Sequence, residues 1–126
     1  MILAFPSDPN RGWQDFKNFG DYLLLDRASA DQRIAEVGKR MEPTFAHLKQ
    51  RYGNPRVLEF GAGGGFLCKA AQQYGFDVTG IEPSEKLRSY AKKTLGFDAL
   101  FETAFDLGKG NEFDAVLTYD MIEHLP

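Results

Sequence analysis

Cysteine is nearly absent from this sequence of 126 residues, which contains Cys68 and no other cysteine. A disulfide framework and a cysteine-rich zinc site are therefore excluded. Basic charge is also scarce: 15 Lys and Arg are outnumbered by 18 Asp and Glu, and no basic stripe marks a nucleic-acid surface. No apolar run approaches the length of a transmembrane helix. These absences lead us to expect a cytoplasmic protein that uses no metal and has neither a membrane nor a nucleic acid as partner.

The chain has the length of one domain, but the pattern of apolar residues in its sequence changes near Pro55. Residues 1–54 form an N-terminal extension with helical spacing of apolar residues, expected to pack on the remainder or to close over it as a lid. Pro43 is expected to kink or divide its last helix. The predicted parts of the extension are an irregular arm over 1–12, a helix over 13–27 and a helix over 29–52.

Residues 55–126 alternate short apolar runs with amphipathic stretches. Such alternation is typical of a parallel α/β sheet covered by helices. Ser84 is expected to cap one of these helices and Gly96 to end it. The predicted strands are 56–60, 77–82, 97–101 and 113–119, and the predicted helices are 66–74 and 84–95. The sequence therefore predicts an α/β fold with about four parallel strands and helices on both faces.

The most distinctive segment follows the first predicted strand. Four of the five residues from Gly61 to Gly65 are glycine, and a helix is predicted to begin at Phe66. Backbone without side chains turns sharply and lets a ligand lie directly against it. A phosphate-binding P-loop is excluded because no Lys followed by Ser or Thr comes after the glycines. A dinucleotide-binding loop would need a small residue where Phe66 or Cys68 stands.

The pattern that remains is an acidic residue followed by three alternating glycines: Glu59, Gly61, Gly63 and Gly65. This segment resembles the first motif of the class I S-adenosylmethionine-dependent methyltransferases, whose sheet is Rossmann-like. The resemblance implies that the loop, Ala62 included, lies against the methionine and ribose parts of the cofactor. It also implies that Glu59 helps to position the methionine end.

A second acidic residue, Glu82, ends the second predicted strand about 20 residues after Gly61. A carboxylate at that distance can accept both hydroxyls of a ribose laid over the loop, in dinucleotide-binding folds as well as in methyltransferases. The resemblance assigns Glu82 and the adjacent Pro83 to cofactor binding.

The third predicted strand is also followed by acidic residues. The family usually places a carboxylate there, where it accepts from the adenine amino group. Glu102 fits by its place after the strand and Asp106 by the Leu107 that follows it. We favour Glu102, with Thr103 beside the adenine ring.

The fourth predicted strand leads into Glu-His-Leu-Pro over 123–126, which is similar to a signature of the same family. The resemblance places Tyr119 and Asp120 with the cofactor, near the transferred methyl group. His124 is a candidate general base, and Tyr22 of the N-terminal extension is the other catalytic candidate.

The chain departs from the family in one respect, because a full methyltransferase sheet has seven strands and this sequence stops after the fourth. It is expected to be a fragment, a chain whose sheet edge is completed by another copy or partner, or a cofactor-binding remnant. The expected function is S-adenosylmethionine-dependent methyl transfer to an unidentified small molecule, or the cofactor-binding part of that activity. The alternatives are a non-catalytic binding or assembly module and a nucleotide- or NAD-binding Rossmann protein.

Overall fold

The computed structural model describes residues 23–110 and 112–119. In chain order its elements are helix α1 (Arg27–Tyr52), strand β1 (Arg56–Phe60), helix α2 (Phe66–Gln73), strand β2 (Asp77–Ile81), helix α3 (Glu85–Tyr90) continued by a π-helical turn (Ala91–Leu95), strand β3 (Leu100–Phe101), a 3-10 helix (Ala104–Leu107) and strand β4 (Ala115–Thr118).

The four strands form one sheet in the order β3-β2-β1-β4, and every neighbouring pair is parallel. The connections through α2 and α3 both step in the same direction across the sheet, so the right-handed crossover rule places both helices on one face. The connection from β3 to β4 runs across the sheet in the opposite direction, so the same rule places it on the opposite face. The α/β fold predicted from the sequence, with its N-terminal helix, is confirmed.

Helix α1 packs against α2 and buries Ile34, Val37, Phe45 and Leu48 in the core. It begins earlier than predicted, because the Asp26 side chain accepts from the backbone N–H of Ser29 and so caps the helix. The helix continues through Pro43, so a division there is wrong. Buried residues on both sides of the proline anchor the two halves in the same core, which compensates for the missing backbone hydrogen bond.

The flanking strands are shorter than predicted. In β3, Phe97 is not a strand residue, because its N–H donates to the carbonyl of Ala91 and its side chain is buried at the end of the π-helical turn. In β4, the Asp114 side chain accepts from the backbone N–H of Arg56 just before the strand begins. Ser84 caps α3 and Gly96 ends the helical stretch in a left-handed conformation, as predicted.

Candidate cofactor site

The glycine loop, residues 61–65, connects the end of β1 to the start of α2. Gly61, Gly63 and Gly65 have φ angles of 73°, 58° and 87°, a region that residues with side chains rarely adopt. A Cβ on Gly63 would lie 3.1 Å from Leu23 Cδ1, and one on Gly65 would lie 3.1 Å from Ala91 Cβ. The alternating glycines are therefore needed both for the turn and for the close approach of neighbouring elements.

Most of the amides of this loop bind within the fold. The N–H groups of Gly61 and Ala62 both donate to the carbonyl of Ile81, at 2.9 and 3.0 Å. The N–H of Gly65 donates to the carbonyl of Ala62 at 2.9 Å. These bonds tie the loop to the end of β2, and they take up donors that a phosphate-binding loop would turn towards its ligand.

Glu82 lies directly beside the loop, one strand over from β1. Its carboxylate accepts from the N–H of Gly63 at 2.7 Å and from the N–H of Ser84 at 2.9 Å. Burial raises the pKa of Glu82, and these two hydrogen bonds, together with the positive charge of Arg88, act in the opposite direction. The acid predicted to receive the ribose is thus in contact with the glycine backbone predicted to support it.

Glu59 lies deeper than Glu82, on the side of the sheet covered by α2. The residue is 2% exposed, and its side chain accepts from the thiol of Cys68 at 2.9 Å. Burial, with a smaller contribution from the charge of Glu82, raises the pKa of Glu59 to about 8. Burial and the neighbouring Glu59 also raise the pKa of the Cys68 thiol. Glu59 therefore supports the loop from within the core, in a pairing that the sequence did not reveal.

A short segment before α1 lies across the loop. Leu23 contacts Gly63 and Gly64, and the carbonyl of Leu25 accepts from the hydroxyl of Tyr90 at 2.8 Å. The ring of Tyr90 packs on Phe66 in a T-shaped arrangement, with 6.1 Å between the ring centroids. The N-terminal extension thus reaches the glycine loop through Leu23. Residues 13–22 of the first predicted helix lie outside the described residues, so the choice between packing and a lid stays a prediction there.

The acidic residues after β3 have different surroundings. The carboxylate of Asp106 accepts from the N–H of Thr103 at 2.9 Å and from its hydroxyl at 3.1 Å, which makes a capping box for the 3-10 helix. Glu102 follows Phe101, whose carbonyl accepts from the N–H of Glu82 at 2.8 Å. Glu102 therefore begins at the same sheet edge as Glu82, while Asp106 is engaged in local capping.

The residues predicted at the end of β4 are only partly described. The hydroxyl of Tyr119 is hydrogen-bonded to the guanidinium of Arg40, so its side chain is directed towards α1. Asp120, Tyr22 and His124 lie outside the described residues. Of the two residues that the sequence predicts near the transferred methyl group, only Tyr119, at the end of β4, is among the described residues.

Two features are absent from the described part of the chain. Residues 23–110 and 112–119 contain no group of three His, Cys, Asp or Glu side chains that could hold a metal ion. Within the same ranges, no helix is both long enough and apolar enough to cross a membrane.

A glycine loop at the carboxyl end of a central parallel strand, with a carboxylate after the neighbouring strand, is the arrangement typical of the α/β proteins that bind nucleotide-type cofactors. Within that class, residues 24–126 match the family described as "Methyltransferase domain". The chain belongs to this methyltransferase family.

Curated relatives agree with the family match. Residues of this chain are 32% identical to an uncharacterized methyltransferase of Alkaliphilus oremlandii, over 94% of this chain and 56% of the relative. A ubiquinone biosynthesis O-methyltransferase of Thiobacillus denitrificans is 32% identical over 99% of this chain and 51% of its own length. A protein of the same name from Roseobacter denitrificans is 26% identical over 98% and 52%. The chain thus spans about half the length of these relatives.

Proposed function

We propose that this chain binds S-adenosylmethionine at the glycine loop and forms the cofactor half of a methyltransferase that acts on a small molecule. The observation that carries the proposal is the hydrogen bond between the Glu82 carboxylate and the N–H of Gly63. It brings the acid proposed to bind the ribose into contact with the backbone proposed to support the adenosyl group. The family match and the names of the relatives support methyl transfer.

The geometry of the loop favours this cofactor over a dinucleotide. The ring of Phe66 would lie 2.9 Å from a Cβ placed on Gly64, so an aromatic side chain occupies the underside of the loop. The inward-directed amides of Gly61, Ala62 and Gly65 are poorly placed to receive a pyrophosphate. Carbonyl groups and bare Cα surface suit the ammonium group and sugar of S-adenosylmethionine better than they suit phosphate anions.

The residues at this edge have separate parts in binding. Each oxygen of the Glu82 carboxylate accepts one backbone N–H and has a further lone pair. These remaining lone pairs are proposed to accept from the ribose hydroxyls. Glu102, with Thr103, is proposed to receive the adenine, because Glu102 directly follows Phe101, whose carbonyl accepts from the N–H of Glu82. Glu59, beneath the loop, is proposed to help position the methionine end by supporting the loop backbone from within the core, where its carboxyl accepts from Cys68. Pro83 fixes the backbone after Glu82, and its side chain is buried.

S-adenosylmethionine, when bound, supplies a methyl group already activated on a sulfonium. The chain's own task is therefore to bind, to align and to exclude water. Most of the acceptor pocket is proposed to come from the part of the relatives that this chain does not cover. The relatives named for ubiquinone biosynthesis favour a small-molecule acceptor methylated on oxygen. His124 remains the candidate base for such an acceptor.

Calorimetric titration of the 126-residue chain with S-adenosylmethionine and S-adenosylhomocysteine tests the proposal. We expect wild type to bind with a dissociation constant in the micromolar range, and Glu82→Gln to weaken binding by ~1–3 kcal/mol because a charged acceptor is lost. Glu85→Gln is the matched control, because it removes an exposed carboxylate at the start of the helix that follows. We expect it to bind as wild type does, and thermal unfolding establishes that each variant is folded.

Two results would contradict the proposal. A folded wild-type chain that binds neither compound would exclude the cofactor assignment, and enhanced NADH fluorescence on mixing would then point to a dinucleotide. A Glu82→Gln variant that binds as tightly as wild type would exclude the ribose assignment while leaving cofactor binding intact.

A further inference from the structure

We propose that Arg88 is a positioning residue that holds Glu82 against the glycine loop, an inference that rests on the function proposed above. Arg88 lies in α3, behind the turn formed by Glu82, Pro83 and Ser84, which we call the acid turn. Arg88 belongs to none of the motifs identified in the sequence. The inference adds to the cofactor site a residue that acts through Glu82 and needs no contact with the ligand.

Arg88 binds all three consecutive carbonyls of the acid turn. Its guanidinium Nη1 donates to the carbonyl of Glu82 at 2.7 Å and to that of Pro83 at 2.8 Å. Its backbone N–H donates to the carbonyl of Ser84 at 3.0 Å. A planar guanidinium with several donors and a permanent charge suits such a cluster of acceptors. The acid turn is thus fixed at every carbonyl by one residue.

The carboxylate of Glu82 is fixed from the opposite side. One of its oxygens accepts from Ser84, within the acid turn, and the other accepts from Gly63, within the glycine loop. A shift of the turn would therefore lengthen the bond between Glu82 and Gly63 first. Because Glu82 and Pro83 are buried, loss of the Arg88 side chain would leave their two carbonyls without this donor, and the turn would rearrange to find another. The backbone bond to Ser84 would remain.

Arg88 also acts on Glu82 through its charge. The guanidinium favours the ionised carboxylate and so lowers the pKa of Glu82, against the effect of burial. An ionised carboxylate accepts from ribose hydroxyls more strongly than a protonated one. The hydrogen bonds of Arg88 and its positive charge therefore both favour ligand binding, and both do so through Glu82.

A double-mutant cycle in the full chain separates positioning from general support of the fold. The variants are Arg88→Met, Glu82→Gln and the double variant, and the measurement is the dissociation constant of S-adenosylhomocysteine at one pH. We expect Arg88→Met to weaken binding by about tenfold or more when Glu82 is present, and by less than about threefold when Gln stands at position 82. Arg88→Lys, which keeps the charge and loses the planar donors, is expected to retain part of the affinity.

The control for loss of one positive charge is Lys93→Met, because Lys93 is exposed in the π-helical turn that continues α3. It should leave affinity unchanged. The inference is overturned if Arg88→Met weakens binding equally with Glu and with Gln at position 82, because Arg88 would then support only the fold. If Arg88→Met does not fold, Arg88→Lys takes its place in the cycle, and a coupling below about twofold then overturns the inference. Absence of binding by folded wild type would instead refute the proposed function.

Discussion

The two central strands of the sheet and the two flanking strands differ in how they are held. In β1 the three middle residues are all buried, and the loop and turn that follow β1 and β2 are joined by hydrogen bonds to Ile81 and Glu82. In β4 burial alternates, and Val116 is 57% exposed. Next to the short strand β3, Phe105 is 96% exposed. The glycine loop and Glu82 are therefore held by the buried centre of the sheet, whereas the strands that lead to Glu102 and Tyr119 are more exposed.

The largest effect should come from Glu59, the most deeply buried acid of the centre. Burial raises the pKa of Glu59 from its ordinary 4.5 to about 8, so between these pH values the unfolded chain ionises Glu59 while the folded chain keeps it protonated. The folded state then binds more protons, and the free energy of unfolding falls by roughly 1.4 kcal/mol for each pH unit of rise within this window. Below the window the residue is protonated in both states and its contribution is intact.

Urea unfolding of wild type and Glu59→Gln across this pH range measures the effect. The variant should lack the part of the pH dependence that Glu59 contributes, so the difference in stability between the two proteins should change as pH rises from 4.5 to 8. Glu85→Gln, an exposed change, is the control. A difference between wild type and Glu59→Gln that stays constant with pH would show that Glu59 does not change its protonation on folding in this window.

A smaller effect is expected at Gly80, where β2 passes beneath the loop. A Cβ there would lie 2.5 Å from Leu100 Cδ2 and 2.9 Å from Ala62 Cβ, so Gly80→Ala should lower the free energy of unfolding by ~1–3 kcal/mol through overpacking. Gly38→Ala is the control, because its Cβ would meet Ala70 at an ordinary 3.7 Å and alanine favours the helix by up to ~1 kcal/mol. Equal denaturation midpoints for wild type and Gly80→Ala would show that the centre is packed more loosely than described.

The smallest effect is expected in β4, and the same substitution in β1 provides the comparison. Val116 pairs with Leu58 across the β1–β4 boundary, and Val57 is fully buried beside it. Val57→Thr should cost ~1–3 kcal/mol, because its hydroxyl would be buried without a partner. Val116→Thr should change the free energy of unfolding by less than ~0.5 kcal/mol, as exposed substitutions do. A comparable cost at Val116 would show that this face is covered in solution.

Much of the fold could be predicted because the signals are local. The strands β1 and β2 are apolar runs bounded by proline and glycine, and Ser84 and Gly96 mark the ends of a helical stretch. The errors have non-local causes. The helix continues through Pro43 because Phe45 and Leu48 are buried on its far side, and local sequence does not reveal that burial. Strand β3 is shorter than its apolar run because Phe97 belongs to the core rather than to the ladder.

The candidate site shows the same division. The glycines and the acids Glu59 and Glu82 could be chosen from spacing and resemblance. The sequence did not disclose that Cys68 donates to Glu59, since a thiol in an amphipathic helix gives no sign of its partner. It did contain a signal for Arg88, which stands four residues after the capping Ser84, one helical turn away and within reach of the carbonyls before it.

Conformational freedom and ionisable chemistry are properties of single residues, so the amino-acid sequence alone shows where the backbone can turn freely and which side chains carry charge. Which of those charges are buried, and what each one contacts, depends on how the elements pack together. The Glu82 carboxylate reaches the Gly63 amide because two parallel strands end side by side, and burial, which sets the pKa of Glu59, exists only once helix α2 covers the sheet.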